Sequence, residues 1–65
     1  MHPSTEAILK FFAHKHLPPN LAAISQPFGE LAEFLAYKLE GPELTVALRK
    51  LLESKDAAVR AALRP

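Results

Sequence analysis

Few residues in this 65-residue chain have chemistry to offer, and they concentrate in two places. His14, Lys15 and His16 form a His-Lys-His run inside FFAHKHLPPN, while Arg49, Lys50, Lys55, Arg60 and Arg64 are spread over the last third of the sequence. Histidines two positions apart stand about 200° apart around a helix, so His14 and His16 could share a metal only on extended chain. A zinc site needs three or four converging ligands, and His2 is the one further imidazole, so no native metal site is expected. Two readings of the run remain. At the end of a short helix its positive charge complements the macrodipole, and alternatively it forms the rim of an anion pocket that tightens when its histidines are protonated.

The other candidates divide similarly. Glu30 with Glu33, or Glu40 with Glu43, supplies paired carboxylates, but such pairs on amphipathic helices without a pocket partner are solvated faces. Ser25, beside Gln26 and Pro27, is the one hydroxyl of interest as a nucleophile, and the chain has neither a glycine-rich phosphate loop nor a nucleophile elbow. Catalysis is therefore not expected, nor is a cofactor. Lys55 falls on an apolar stripe of Leu48, Leu51, Leu52 and Val59, where it either snorkels to water or lines a polar cavity as a partly buried cation. Arg60 and Arg64 share a helix face at i, i+4, a spacing that suits a fork for phosphates and equally suits a helix C-terminus.

The elements that must position these groups are helical throughout. Apolar residues recur at i, i+3, i+4 in three segments, and no useful length alternates with period two. The first segment runs from about residue 3 to 15, with Ser4 or Thr5 as cap and Ile8, Phe11 and Phe12 as its apolar stripe. Pro18 and Pro19 push the residues before them out of the α region and end it. A second helix over about 18–40 is expected to bury Leu21, Ile24, Phe28, Leu31, Leu35 and Leu39, with a kink or restart at Pro27, which has no N–H for the Ala23 carbonyl. Glu40-Gly41-Pro42-Glu43 punctuates the chain, and a third helix over about 42–63 buries Leu44, Leu48, Leu51, Leu52, Val59, Ala62 and Leu63. Asp56 and Arg60 are spaced for an ion pair. The expected architecture is a single all-α domain over 1–65, a short N-terminal helix plus a long antiparallel αα-hairpin of about 30 Å per arm.

Size and composition add a constraint. A domain this small buries only about 60% of its unfolded surface, and without cysteine it has no disulfide to support a thin core. The second helix carries Phe34, Ala36 and Tyr37 outside its main stripe, which predicts a homo-oligomer assembled through the hairpin. A net charge of +1 disfavours duplex nucleic acid, and the third helix carries too many acids for a recognition helix. No apolar run approaches the roughly 18 residues of a membrane span, so a cytoplasmic protein without membrane contact is expected.

The third helix and its preceding turn, GPELTVALRKLLESKDAAVRAALRP, resemble the C-terminal arm of the helical hairpin of phage cyclic-nucleotide sponges, the anti-CBASS sponge and the related Thoeris anti-defence sponge. In that family a short turn leads into a helix with a Glu, a Ser or Thr, an Ala-Leu pair, a basic residue before a Leu, and a late Val-Arg-Ala. Glu43, Thr45, Ala47-Leu48, Lys50-Leu51 and Val59-Arg60-Ala61 stand in those places, and the similarity covers residues 17 to 65. The resemblance implies a non-enzymatic oligomer, from dimer to hexamer. It would hold a cyclic di- or trinucleotide, or a cyclic ADP-ribose isomer, between protomers in the host cytoplasm and so remove an immune second messenger. Carried over by position, Arg60, Arg64 and Thr45 become ligand residues. The family's other pocket uses an aromatic ahead of the first arm and a lysine within it. Here His14 or His16 and Ser25/Gln26 stand nearest, so the lysine is missing and the aromatic becomes a histidine. A rival reading from another class is a protein-binding helical module that engages its partner through Phe34 and Tyr37.

Overall fold

The structure, a computed structural model, describes residues 1–63, so Arg64 lies outside the described residues. Three α-helices account for most of the chain, in the order α1 (Pro3–Leu9), a 3₁₀ turn (Lys10–Phe12), α2 (Pro19–Lys38) and α3 (Pro42–Leu63). No strand occurs among the described residues, as the periodicity predicts.

Each helix begins at a proline, and each start has its own local cause. Pro3 favours an extended residue before it, and His2 adopts φ −66° and ψ 140°, the backbone of an N-cap. The cap is therefore the His2 ring rather than Ser4 or Thr5. Its Nδ1 accepts from the Ser4 N–H at 3.1 Å, and the Ser4 hydroxyl lies 2.8 Å from the same nitrogen. Ser4 and Thr5 are already inside the first turn, where Thr5 is buried. The first helix also ends sooner than its sequence suggests. It tightens at Lys10 into one 3₁₀ turn, so the chain is already irregular at Ala13 and His14.

Pro27 neither breaks nor restarts α2, which runs unbroken for 20 residues. Ser25 is accordingly an interior residue of α2. Ala23 and Pro27 are both exposed, so the carbonyl that loses its usual donor faces solvent, where its desolvation cost vanishes. Between α2 and α3, Leu39 is extended and Gly41 takes φ +99°, after which the Leu44 N–H closes the first turn of α3 on the Gly41 carbonyl at 3.1 Å. An added Cβ on Gly41 meets nothing within 4 Å, so Gly41→Ala is opposed by backbone conformation alone. Its expected cost is about 1–2 kcal/mol. Thermal denaturation followed by circular dichroism should show it as a fall in Tm of about 4–8 °C per kcal/mol for a domain of this size.

α2 packs against α3, and α1 touches both. The core holds Phe12, Ala32, Leu44 and Leu48, flanked by Ile8, Leu9, Phe28, Leu35, Leu51 and Leu52. α3 turns the expected face inward over most of its length, with Leu44 and Leu48 buried and Leu51, Leu52 and Val59 half-buried, but Ala62 and Leu63 at its end are exposed. α2 does so only in part: Leu21 is buried and Phe28 and Leu35 pack against the core, but the other buried residues are Ser25, Gly29 and Ala32, whereas Ile24, Leu31 and Leu39 are 39%, 45% and 51% exposed. The seam is rotated toward small side chains because other backbone must approach there. The Phe12 carbonyl oxygen would stand 3.2 Å from a Cβ on Gly29, with the His14 ring at 3.7 Å, so this position admits only glycine without displacement.

Candidate functional site

Among the described residues, two open hollows hold predicted site residues. The first, about 370 Å³, lies where the 3₁₀ turn and the segment after it meet the second half of α3, and is lined by Lys10, Phe11, Ala13, His16, Leu17, Lys55, Asp56, Val59 and Arg60. Three elements contribute. The tightening of the chain after Leu9 splits the neighbouring phenylalanines, so that Phe12 enters the core at 3% exposure and Phe11 stays 65% exposed. Both were expected to anchor the first helix, and only Phe12 does. Leu17 and Val59 are half-buried and form apolar floor.

The charges of this hollow are unbalanced in favour of cations. Lys55 occupies the seam position its spacing predicts, its side chain only 12% exposed, and its Nζ lies 2.8 Å from Asp56 Oδ1. Asp56 is thus engaged by Lys55 and not by Arg60, the partner expected four residues on. Among the described residues no carboxylate pairs with Arg60 or Lys10. Lys10, Lys55 and Arg60 against Asp56 leave an excess of two positive charges in a hollow that the exposed Phe11 and His16 also line. A phosphate-bearing planar ligand has complementary parts: anionic oxygens for the ammonium and guanidinium groups, and a flat face for Phe11.

The other predicted site residues are distributed elsewhere. Thr45 lines the second hollow, about 880 Å³, with His2, Ser4, Tyr37 and Glu40 among its neighbours, a lining that includes a carboxylate and no lysine or arginine. Ser25 is fully buried and its Oγ has no hydrogen-bond partner, which removes it from any surface site. Gln26 is exposed and donates to Glu30 Oε2 at 3.1 Å. His14 is half-buried beside Gly29, and Lys15 is exposed on the turn before α2. The structure therefore brings together His16, Lys55 and Arg60 of the predicted set and separates Thr45, Ser25 and Gln26 from them. Lys10 and Phe11 were missed as site residues. Their signal was the basic-aromatic pair Lys10-Phe11, hidden because a regular helix assigns both phenylalanines to the core.

Among the described residues no three His, Cys, Asp or Glu side chains converge on a metal geometry, and no helix is long and apolar enough to cross a membrane. No family model, curated relative or solved structure matches the chain.

Proposed function

We propose that this protein is a non-enzymatic sponge that binds and sequesters a cyclic nucleotide second messenger, with α2 and α3 serving as an antiparallel hairpin on which copies assemble. The observation that carries this reading is the hollow bearing Lys10, Lys55 and Arg60 around the exposed Phe11. Its volume lies toward the low end of the roughly 300–1,000 Å³ of small-molecule sites, which suits one phosphate and one base rather than a whole cyclic dinucleotide. In this reading a second copy supplies the rest of the envelope. The resemblance of α3 to the arm of phage sponges supports the ligand class and a place in the cytoplasm of an infected cell.

Calorimetric titration with cyclic di- and trinucleotides and cyclic ADP-ribose isomers tests the proposal. At least one is expected to bind with Kd below about 10 μM. A silent panel defeats the sponge reading. The exposure of Phe34 at 55% and Tyr37 at 80% favours a second reading, a helical module for binding another protein. That reading predicts a silent panel together with a captured partner that Phe34→Glu loses and Arg60→Ala retains.

A further inference from the structure

The second hollow, about 880 Å³, lies where the start of α1 meets the end of α2 and the start of α3. Its volume falls within the roughly 300–1,000 Å³ of small-molecule sites, and Ala36, Leu39 and Leu44 give it apolar wall. Its charge is opposite to that of the first hollow. Glu40 brings a carboxylate, and no lysine or arginine lines the hollow to balance it. Among the described residues Glu40 enters no ion pair, either with the Met1 ammonium group or with a side chain. Lys38, two positions before it, holds its Nζ 5.9 Å from the centre of the Phe34 ring instead.

The backbone adds further acceptors. The Leu39 N–H closes α2 on the Leu35 carbonyl at 2.9 Å, and no N–H among the described residues reaches the carbonyls of Ala36 and Tyr37. These belong to the last turn of the helix, which carries the negative end of its macrodipole. The positive ends nearby are already complemented. At the start of α1 the Ser4 N–H is bonded to His2 Nδ1, and the Thr5 and Glu6 N–H groups are bonded to the His2 carbonyl at 3.0 and 3.1 Å. Glu6 and Glu43 stand in the first turns of α1 and α3, where a carboxylate offsets the positive end.

Thr5 supplies an independent sign of a ligand. It is only 4% exposed, yet its hydroxyl makes no hydrogen bond to any described residue. Unlike the Ser25 hydroxyl it is not sealed in, and the side it keeps open is that of the hollow it lines. An unpaired hydroxyl at a cavity wall gains a partner when a polar ligand enters.

We propose that this hollow binds a small organic cation, an ammonium or guanidinium group on an apolar body. Glu40 and the free carbonyls of α2 take the charged head, and the Tyr37 ring, 80% exposed, offers it an aromatic face. Leu39 and Leu44 carry the body, while the Thr5 and Thr45 hydroxyls bond its polar substituents. An anion meets no lysine or arginine here, so the two hollows select ligands of opposite charge. The cation site rests on none of the nucleotide chemistry of the first hollow.

Phenethylamine, phenylethanol and phenylacetate share an apolar body and differ in the charge of the head, so titrating each into the full chain and following amide NMR signals reads charge selection directly. Phenethylamine should shift the Tyr37, Glu40 and Thr45 signals with a Kd of about 1 mM or below. Phenylethanol should bind several-fold more weakly, and phenylacetate should leave the signals in place. Glu40→Gln should weaken phenethylamine about 2- to 5-fold, the range of an exposed ion pair. Glu40→Lys should abolish its binding and admit phenylacetate. Glu33→Gln makes the same change of charge at an exposed position outside the hollow, and the affinity should not move. All three variants alter exposed side chains, so helical circular dichroism should match wild type. No saturable shift with phenethylamine up to about 10 mM, phenylacetate bound as tightly, or an equal loss in Glu33→Gln would overturn the proposal. Nucleotide affinity is scored separately, so a silent nucleotide panel removes the sponge reading and leaves this site standing, and a silent amine titration does the reverse.

Discussion

Leu48→Ala is expected to destabilise the protein severely, to the point of unfolding it at 25 °C if the wild type lies at the low end of its stability range. Leu48 is fully buried, between α2 and the short N-terminal elements, in a core that includes Phe12, Ala32 and Leu44. Truncating a buried leucine costs about 2–5 kcal/mol, the transfer free energy of the lost methyl groups plus the cavity they leave. A chain of 65 residues has only about 3–10 kcal/mol of stability in total. The substitution therefore removes about a fifth of that stability at the least and all of it at the most. Urea denaturation gives the measurement: the midpoint should fall steeply or the folded baseline vanish, while Val46→Ala, at a position 40% exposed, shifts it little. A Leu48→Ala midpoint within about 1 kcal/mol of wild type would mean that the core does not depend on this side chain.

The vulnerability of Leu48 was legible in the sequence, because α3 has a regular stripe with large side chains at its centre. The turn before it was legible for a related reason: Gly41 and Pro42 have narrow backbone preferences, and the positive φ of one and the helical φ of the other fall where those preferences put them. The buried face of α2 was legible only in part. Apolar size points to Ile24, Leu31 and Leu39, but a seam that receives another segment's backbone selects for small side chains, and Ser25, Gly29 and Ala32 carry no hydrophobic signal strong enough to compete. A tertiary requirement overrode the local pattern, and the displaced apolar residues stand exposed.

The candidate site divides along the same line. Lys55 and Arg60 were readable because they sit at fixed positions on a long regular helix, whose phase is set by Leu44 and Leu48. Thr45 shares that helix but points elsewhere: ten residues separate it from Lys55, and the two line different hollows. Lys10 and Phe11 could not be read because their direction depends on where α1 tightens into a 3₁₀ turn, and no residue between Ile8 and Phe12 marks that change.

The largest effect on ligand binding should come from Lys55→Met, although Lys55 is the least exposed cation of the hollow. Its ammonium group is 2.8 Å from Asp56, which keeps that carboxylate from Arg60 four residues later. Methionine fills the same apolar space along the seam, so stability should change by less than about 1.5 kcal/mol. The released Asp56 carboxylate is then at i, i+4 from Arg60, a spacing at which oppositely charged side chains meet. One substitution thus removes a positive charge and diverts a second, and the excess of two falls to one. A charge-assisted hydrogen bond is worth about 1.5–3 kcal/mol, so losing Arg60 to Asp56 weakens phosphate binding by roughly 10- to 150-fold. Arg60→Ala should cost about the same. The double variant Lys55→Met, Asp56→Asn separates this mechanism from simple charge counting along the chain. It restores the excess of two by removing the competing carboxylate, and its affinity should return to within a few-fold of wild type. Calorimetry with the tightest-binding nucleotide of the panel reads all three variants. If the double variant binds as weakly as Lys55→Met, the Lys55 ammonium itself holds the ligand, and the role assigned here to Asp56 is wrong.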